Sequence, residues 1–368
     1  MRNIYIIGGG VCGIVASYYI KKLNPNYQVT VLEKDKEVGK RIKVSGNGRC
    51  NFSNDNILTN SYSTNEVQDI INLFKKEEEN FYQDINLHFY SDDEGRRYPL
   101  TNSSKTVHTL LITALKKIGV KIINNCEVYD LDDNRIYTNL GQFKYDNVVL
   151  STGGLSYLYP SSNFDYLKKL NINIVKPSPV LCRVRVNEKI PSQVVGKRAK
   201  VVLTLLENNN EVFKEDGEII FRKDGISGIV VFNSTTKLLS NKKYVYHLNF
   251  IKGIKKESID KQRINFSSEE IIKSYVVDEI GEYLYSNNNN PYDALSNFKL
   301  TFKELYPFKD SQLTRGGVDL NQLNSNLSLK NHPQIYVGGE LLNVIAPCGG
   351  YNIFFAMACG YYIAYNIN

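Results

Sequence analysis

Apolar and polar positions divide the chain into three stretches. The first opens with an apolar run, Ile4-Tyr5-Ile6-Ile7, followed by a glycine turn and then by Val15, Ala16, Tyr19, Ile20 and Leu23 at helical spacing. After a break at Asn24-Pro25-Asn26, a second apolar run, Val29-Thr30-Val31-Leu32, ends in Glu33. Short continuous apolar runs joined by a helix-period segment predict buried parallel strands with a crossover helix. The pattern continues with a surface helix over 65–85, its charge run at 75–79 on the wet face. Strands follow at 87–90 and 96–100, then a helix opened by Ser103 or Ser104 and closed by Gly119. A strand at 120–123, a small antiparallel meander over 127–145 and a buried strand at 148–150 complete this stretch.

The character changes after Pro177 and Pro179. Strands are expected at 180–186, 199–206, 218–221, 229–232 and 244–250, followed by a polar, largely helical piece over 255–302. The last stretch returns to a buried strand at 334–337 and a final helix through Tyr365. Phe354, Phe355, Met357 and Ala358 make that helix apolar nearly all round, which predicts burial. The expected fold class is α/β, with a Rossmann-like domain over 1–175 and 308–368. It is interrupted by a β-rich insertion over 176–252 and a helical piece over 253–307.

The turn itself carries chemistry. Gly8, Gly10 and Gly13 form G-x-G-x-x-G between a strand and a helix, and Glu33 closes the second strand twenty residues past Gly13. Gly8 allows the tight turn, Gly10 the approach of a pyrophosphate and Gly13 close packing of helix on strand. Free N–H groups at the helix start face the phosphates, and Glu33 accepts hydrogen bonds from the adenosine ribose. A nicotinamide-only dehydrogenase would continue with a helix and another buried strand. This chain instead runs through Gly39-Lys40-Arg41 into a long polar, glycine-broken segment suited to lie along an extended cofactor.

That segment, Ser45-Gly46-Asn47-Gly48-Arg49-Cys50-Asn51-Phe52-Ser53-Asn54, resembles the S-G-x-G-R-C-N-x-[ST]-N mark of the BaiN/YhiN-type, aminoacetone-oxidase-like NAD(P)/FAD-dependent oxidoreductases. Two further elements match the same family, Gly95-Arg96-Arg97-Tyr98-Pro99 and Thr314-Arg315-Gly316-Gly317-Val318. The resemblance implies a glutathione-reductase-type FAD-binding domain with an antiparallel meander. Around the FAD it implies Gly8, Gly10, Cys12 and Gly13 of the turn, and Glu33 and Lys34 after the second strand. It adds Lys40, Arg41, Ser45, Gly46, Gly48, Arg49, Cys50 and Asn51 of the marked segment. Val128 of the meander and Thr152, Gly153 and Gly154 in Ser151–Tyr157 follow. From the C-terminal part it adds Gly339 and Glu340 at the ribityl chain, and Gly349, Gly350, Tyr351 and Asn352 at the start of the final helix. The positive end of that helix stabilises negative charge near N1 and O2 of reduced flavin. The family's F-T-H-x-G-x-S-G reads Phe221-Arg222-Lys223-Asp224-Gly225-Ile226-Ser227-Gly228 here, so Arg222 and Lys223 replace the Thr and His.

Composition adds limits. The chain has 368 residues, 42% of them hydrophobic, enough for sizeable cores. No apolar run approaches the ~20 residues of a membrane span, and Met1-Arg2 leads directly into a strand, so a cytoplasmic location without membrane attachment is expected. The six cysteines have no C-x-x-C pairing, and no metal site is expected. The formal net charge is +7, with Lys40, Arg41, Lys43 and Arg49 close together and Arg96 and Arg97 further on. Such a set is either a solvated surface with cofactor-phosphate partners or the footprint of an anionic partner such as RNA.

His88, His108, His247 and His332 are scattered and no nucleophilic triad is visible, so the reaction is the flavin's own. There is no second G-x-G-x-x-G, so NAD(P)H would visit as a transient reductant. Three readings stand. The resemblance favours reduction of a C=C bond, with a uridine of large-subunit ribosomal RNA going to dihydrouridine. The alternatives are a small-molecule oxidoreductase (amine or aminoketone oxidase, or enoyl-type reductase) and a non-catalytic flavin-binding redox sensor. Under the RNA reading, Cys50 or Cys348 supplies the proton, and Arg49, Arg96, Arg97 and Tyr98 hold substrate.

Overall fold

The parallel sheet forms around the N-terminal strand. In a computed structural model that describes residues 2–156 and 164–367, Asn3–Ile7 lies between Gln28–Leu32 and Asn147–Leu150, with Lys121–Ile123 and Ile335–Val337 on the outside. Ile6 is in register with Val31 on one side and Val149 on the other, and all three are fully buried. This continuous apolar character is what a sheet covered on both faces requires. The helices Val11–Leu23 and Tyr351–Asn366 pack closely, since a Cβ on Gly360 would lie 2.5 Å from the Cys12 carbonyl oxygen. The final helix buries Phe354, Phe355, Met357 and Ile363 among its residues, as its all-round apolar pattern predicts.

Two three-stranded antiparallel sheets also belong to the unit that comprises Met1–Ser178 and Thr314–Asn368, with a two-stranded sheet of Ile174–Val180 and Leu313–Val318 at its boundary. One joins Ser53–Asn54, Arg96–Pro99 and Phe89–Ser91; the other is the expected meander, Val128–Leu131, Arg135–Thr138 and Gly141–Lys144. Tyr157, the last residue of the expected Ser151–Tyr157 motif, lies outside the described residues.

The second unit, Pro179–Leu313, is a closed six-stranded barrel with helices. Two expectations change here. Residues 229–232 are not a strand but part of the helix Ile229–Ser234. Gly228, at φ +124°, follows the strand Gly225–Ser227, and a Cβ there would lie 2.2 Å from the Glu218 carbonyl oxygen. A short apolar run does not by itself separate strand from helix. Phe298–Leu305, assigned to the helical piece, is the strand that closes the barrel between Tyr244–Asn249 and Val184–Val186. Its alternation, buried Phe298 and Leu300 about exposed Lys299, is the strand signal.

Candidate flavin site

The glycine turn has the shape a dinucleotide needs. A Cβ on Gly13 would sit 2.1 Å from the Gly8 carbonyl oxygen, so the helix can approach the strand only without one. At Gly10 the nearest atom would be 3.9 Å away, and the space beside the helix start is open. That helix has no side-chain cap and no acidic residue in its first turn, which leaves its N-terminus suited to an anion. Glu33 accepts the Gly9 N–H at 2.7 Å on one oxygen and the Asp35 N–H at 2.9 Å on the other. Burial raises its pKa against the pull of those two bonds, and each oxygen keeps a lone pair for a ribose hydroxyl. Cys12 is buried beneath, its thiol pushed well up by burial, where Gly339 approaches it.

A second group gathers at the ends of the other strands. Arg41 donates to the Gly154 carbonyl at 3.1 Å and pairs with Glu340 at 3.4 Å. The other Glu340 oxygen accepts the Thr314 N–H at 3.0 Å. Desolvation raises the Glu340 pKa, with Arg41 opposing it. The Thr314 hydroxyl accepts the N–H groups of Leu155 at 2.7 Å and Ser156 at 3.1 Å, so the T-x-G-G-V element fixes the backbone after Gly153 and Gly154. Thr152 shares a 2.7 Å hydrogen bond with Tyr166.

The marked segment meets the final helix. The Asn51 amide donates to the Ser53 carbonyl at 2.9 Å and accepts the Gly350 N–H at 3.2 Å, and Asn54 donates to the Gly349 carbonyl at 3.0 Å. Gly350, at φ +97°, would place a Cβ 2.2 Å from the Ser53 carbonyl oxygen, so no side chain fits. Asn352 folds the loop before the helix by accepting from Ala346 and donating to Ala346 and Pro347, and Tyr62 donates to the Tyr351 carbonyl. The helix carries no acid in its first turn, so its positive end is uncompensated.

Lys40–Gly48, expected as loop, holds 3₁₀ turns broken by extended Ser45 and left-handed Gly46 and Asn47, and is followed by Cys50 at φ +59°. Ser45 donates to the Ile42 carbonyl and accepts Cys50 N–H on its own carbonyl. Cys50 is 1% exposed, lines an apolar void of about 10 Å³ with Phe52 and Met357, and has its pKa raised to about 11 by burial. Cys348 is half-buried in the loop before the final helix. Lys34 is exposed, and Val128 is half-buried at the start of the meander.

The basic residues prove to be mostly committed within the chain. Lys40 pairs with Asp35 at 3.2 Å and Lys43 with Glu37 at 2.6 Å. Arg96 pairs with Asp92 and Glu94, and Arg97 with Asp55 and Glu79 at 2.7 Å and Glu78 at 3.4 Å. Their guanidiniums therefore hold the small sheet together. Arg49 is exposed and in no ion pair among the described residues; it lies over the Tyr98 ring at 4.8 Å.

Glu78 lies in the charge run expected on the wet face of its helix, and the structure buries it. It is 6% exposed, accepts from the Ser53 and Tyr82 hydroxyls, and has its pKa raised by burial. The signal lay in the spacing: 70, 71, 74, 78, 81 and 82 are the buried face of the helix Gln68–Asp84. Glu78 thus anchors the serine of the marked segment from below.

The chain is similar along its length to proteins of known activity. It is 25% identical to a 3-dehydro-bile acid delta(4,6)-reductase of Clostridium scindens, with 98% of each chain covered. It is 24% identical to a ribosomal RNA dihydrouridine synthase of Haemophilus influenzae, over 99% of this chain and 98% of the other. Among solved structures, a 3-ketosteroid delta1-dehydrogenase from Sterolibacterium denitrificans shares the fold at a TM-score of 0.53 and 11% identity, covering 100% of this chain and 99% of the other. Among the described residues no helix is long and apolar enough to cross a membrane, and no group of metal-ligating side chains occurs. A family model described as HI0933-like protein Rossmann domain matches residues 2–366, and with the glycine turn, the Glu340 pocket and the final helix in place the chain belongs to that family and is an FAD-dependent oxidoreductase.

Proposed function

We propose that the protein reduces a uridine of the large-subunit ribosomal RNA, or of its precursor, to dihydrouridine, with NAD(P)H as transient reductant. The observation that carries this reading is the end-to-end likeness to a relative named a ribosomal RNA dihydrouridine synthase. A second relative, named a delta(4,6)-reductase, is named for the same kind of event, hydrogen added across a C=C bond. Bound FAD supplies a hydride, here to C6 of the pyrimidine.

The chain's residues bind and orient. The turn from Gly8 to Gly13 and the start of its helix hold the pyrophosphate, with Glu33 on the adenosine ribose. Arg41 and Glu340 hold the ribityl side, and the final helix directs its positive end to the pyrimidine of the flavin. Lys34, Lys40, Ser45, Gly46, Gly48, Val128 and Thr152 border the cofactor in this reading. A uridine flipped out of its stack lies over the ring and takes a proton at C5. Cys348 is the first candidate donor because it is half-exposed, and Cys50 the second because its high pKa keeps the thiol protonated although it is buried. A Cys348→Ala protein with full turnover would remove that residue from the role.

A second reading, reduction of a small conjugated molecule, draws on the bile acid reductase, whose identity is as high. The test is mass spectrometry of nuclease digests of the large ribosomal RNA from cells with and without the gene. Loss of one dihydrouridine, restored by the intact gene and not by a Gly10→Glu copy, supports the RNA reading. Unchanged dihydrouridine overturns it in favour of the small molecule.

A further inference from the structure

Six cations, Lys40, Arg41, Lys43, Arg49, Arg96 and Arg97, belong to the segments that sequence marks as basic. Five of them are paired with carboxylates of the same unit, through Asp35, Glu340, Glu37, Asp92 with Glu94, and Asp55 with Glu79. Of these six, Arg49 alone is in no ion pair among the described residues, so its guanidinium is the one of the group left to meet an outside partner.

That guanidinium is held in place without being neutralised. It lies 4.8 Å from the centroid of Tyr98, which stacks on Tyr90 at 5.8 Å and 26°. Tyr90 is fixed in turn by donating to the Asn102 side chain at 2.7 Å. Beneath Arg49 the backbone is locked in an uncommon shape. Gly46, Asn47, Gly48 and Cys50 all have positive φ, and the N–H groups of Arg49 and Cys50 return to the carbonyls of Gly46 and Ser45. Left-handed backbone at Asn47 and at buried Cys50 is costly for residues with a Cβ, and such strain persists where the surroundings enforce it. Its result here is an exposed arginine set on an aromatic shelf, with no side-chain hydrogen bond to the protein among the described residues.

We propose that Arg49, shelved on Tyr98 and Tyr90, is the positioning residue that receives a phosphodiester of the RNA substrate through the N–H edge of its guanidinium. This rests on the ribosomal RNA reading above. The chemistry favours arginine at such a place. Its planar fork matches two phosphate oxygens, it stacks on aromatic faces, and it is more weakly hydrated than a lysine ammonium. An ion pair to a carboxylate would have competed with the phosphate, and each neighbouring cation has one. Arg96 and Arg97, the two residues that precede Tyr98 in the chain, then act by holding the strand that presents it.

The test compares wild type, Arg49→Gln, Arg49→Lys and Tyr98→Phe, each as the full flavin-loaded chain, binding in vitro transcribed large-subunit ribosomal RNA over a salt series. Arg49→Gln is expected to keep the flavin absorbance, to bind about tenfold more weakly and to show a log affinity against log salt slope shallower by about one. Arg49→Lys restores the slope but not the full affinity, because charge returns without the fork. Tyr98→Phe, which keeps the ring, binds as wild type. Unchanged affinity and slope in Arg49→Gln overturn the proposal. So does loss of flavin from that variant, which would give the guanidinium to the cofactor. The two readings separate cleanly: dihydrouridine loss in gene-deleted cells with an unchanged Arg49→Gln slope sinks the anchor alone. Unchanged cellular dihydrouridine with a shallower slope sinks the uridine assignment and supports the anchor.

Discussion

Each unit of the chain places arginine on tyrosine, and the two places differ in one respect. In the barrel unit, Arg183 and Arg185 lie 4.2 and 4.7 Å from the centroid of Tyr306. Arg183 is met by Asp310 at 2.8 Å, Arg185 by Asp224 at 2.8 Å and Glu304 at 2.7 Å, and Tyr306 donates to Asp224. In the flavin-binding unit, Arg49 lies over Tyr98 at much the same distance, 4.8 Å, and meets no carboxylate among the described residues. A cation on a ring is thus not by itself a sign of function. A network with its charges balanced internally gains nothing from an added anion, whereas an arginine with a shelf and no counter-ion is ready for one. Arg97, over Phe89 at 4.8 Å and met by three carboxylates, belongs with the balanced kind although it stands one residue from Tyr98.

The comparison is broken most severely at Glu78. Glu78→Ala leaves the buried hydroxyls of Ser53 and Tyr82 without an acceptor and Arg97 with two partners in place of three. A loss of about 2–4 kcal/mol is expected, read from urea unfolding of the full chain, because unsatisfied buried donors carry the full desolvation cost. A loss below about 1 kcal/mol would mean that Arg97 and its sheet do not depend on the balance argued here.

Glu78 also marks where the sequence was hard to read. The parallel sheet, the glycine turn and the buried final helix were legible because each is a local pattern: a continuous apolar run, a fixed glycine spacing, an all-round apolar helix. Gly13 follows from the glycine spacing and Gly350 from the family resemblance, and the structure gives their reasons in atoms that a Cβ would strike. What stayed hidden was pairing across distance. Glu78 lies in a run of charges that masks its place, at helical spacing, on the same face as Phe74 and Tyr82. The strand Phe298–Leu305 was lost inside a polar helical stretch because one strand's alternation is weak beside its neighbours' composition. For the basic cluster the sequence leaves a solvated surface and an anionic partner equally open, because it does not show that Asp35, Glu37, Asp55, Asp92 and Glu340 pair with all of the six but Arg49 among the described residues.

A smaller effect is expected in the barrel unit. Asp224→Ala removes the acceptor of Tyr306 and one of two partners of Arg185, all partly exposed, so solvent compensates in part. A fall in Tm of roughly 2–4 °C is expected, with no change in the salt dependence of RNA binding. A shallower salt slope in this variant would place the barrel's arginines among the RNA contacts and remove the distinction between the two regions.

Glu78→Gln is gentler still, because the amide oxygen can accept from one hydroxyl, and it isolates the charge. Burial raises the Glu78 pKa above its ordinary 4.5, so the folded state binds this proton more tightly than the unfolded chain. Stability from this group is therefore fullest below pH 4.5 and falls as pH rises through the folded value. Unfolding free energy followed from pH 4 upward should decline less steeply in Glu78→Gln than in wild type. Parallel curves would mean that Arg97 neutralises Glu78 fully.

The smallest expected effect is the one that sharpens the comparison most. Arg49→Gln gives up a stack on Tyr98 at an exposed site, a contribution of about 0.5–1 kcal/mol at most, and glutamine regains part of it by packing on the ring. Among the described residues no carboxylate is left behind, since none is paired with Arg49, so the change in Tm should stay under about 2 °C. Arg185→Gln, by contrast, leaves Asp224 and Glu304 facing each other across a lost cation and should lower Tm by more than Arg49→Gln does. The same substitution on the same kind of shelf then separates the two roles by stability alone, before any ligand is added. If the two variants melt together, the carboxylates around Tyr306 contribute nothing to the fold, and the argument that an unpaired arginine is held for an outside anion loses its internal standard.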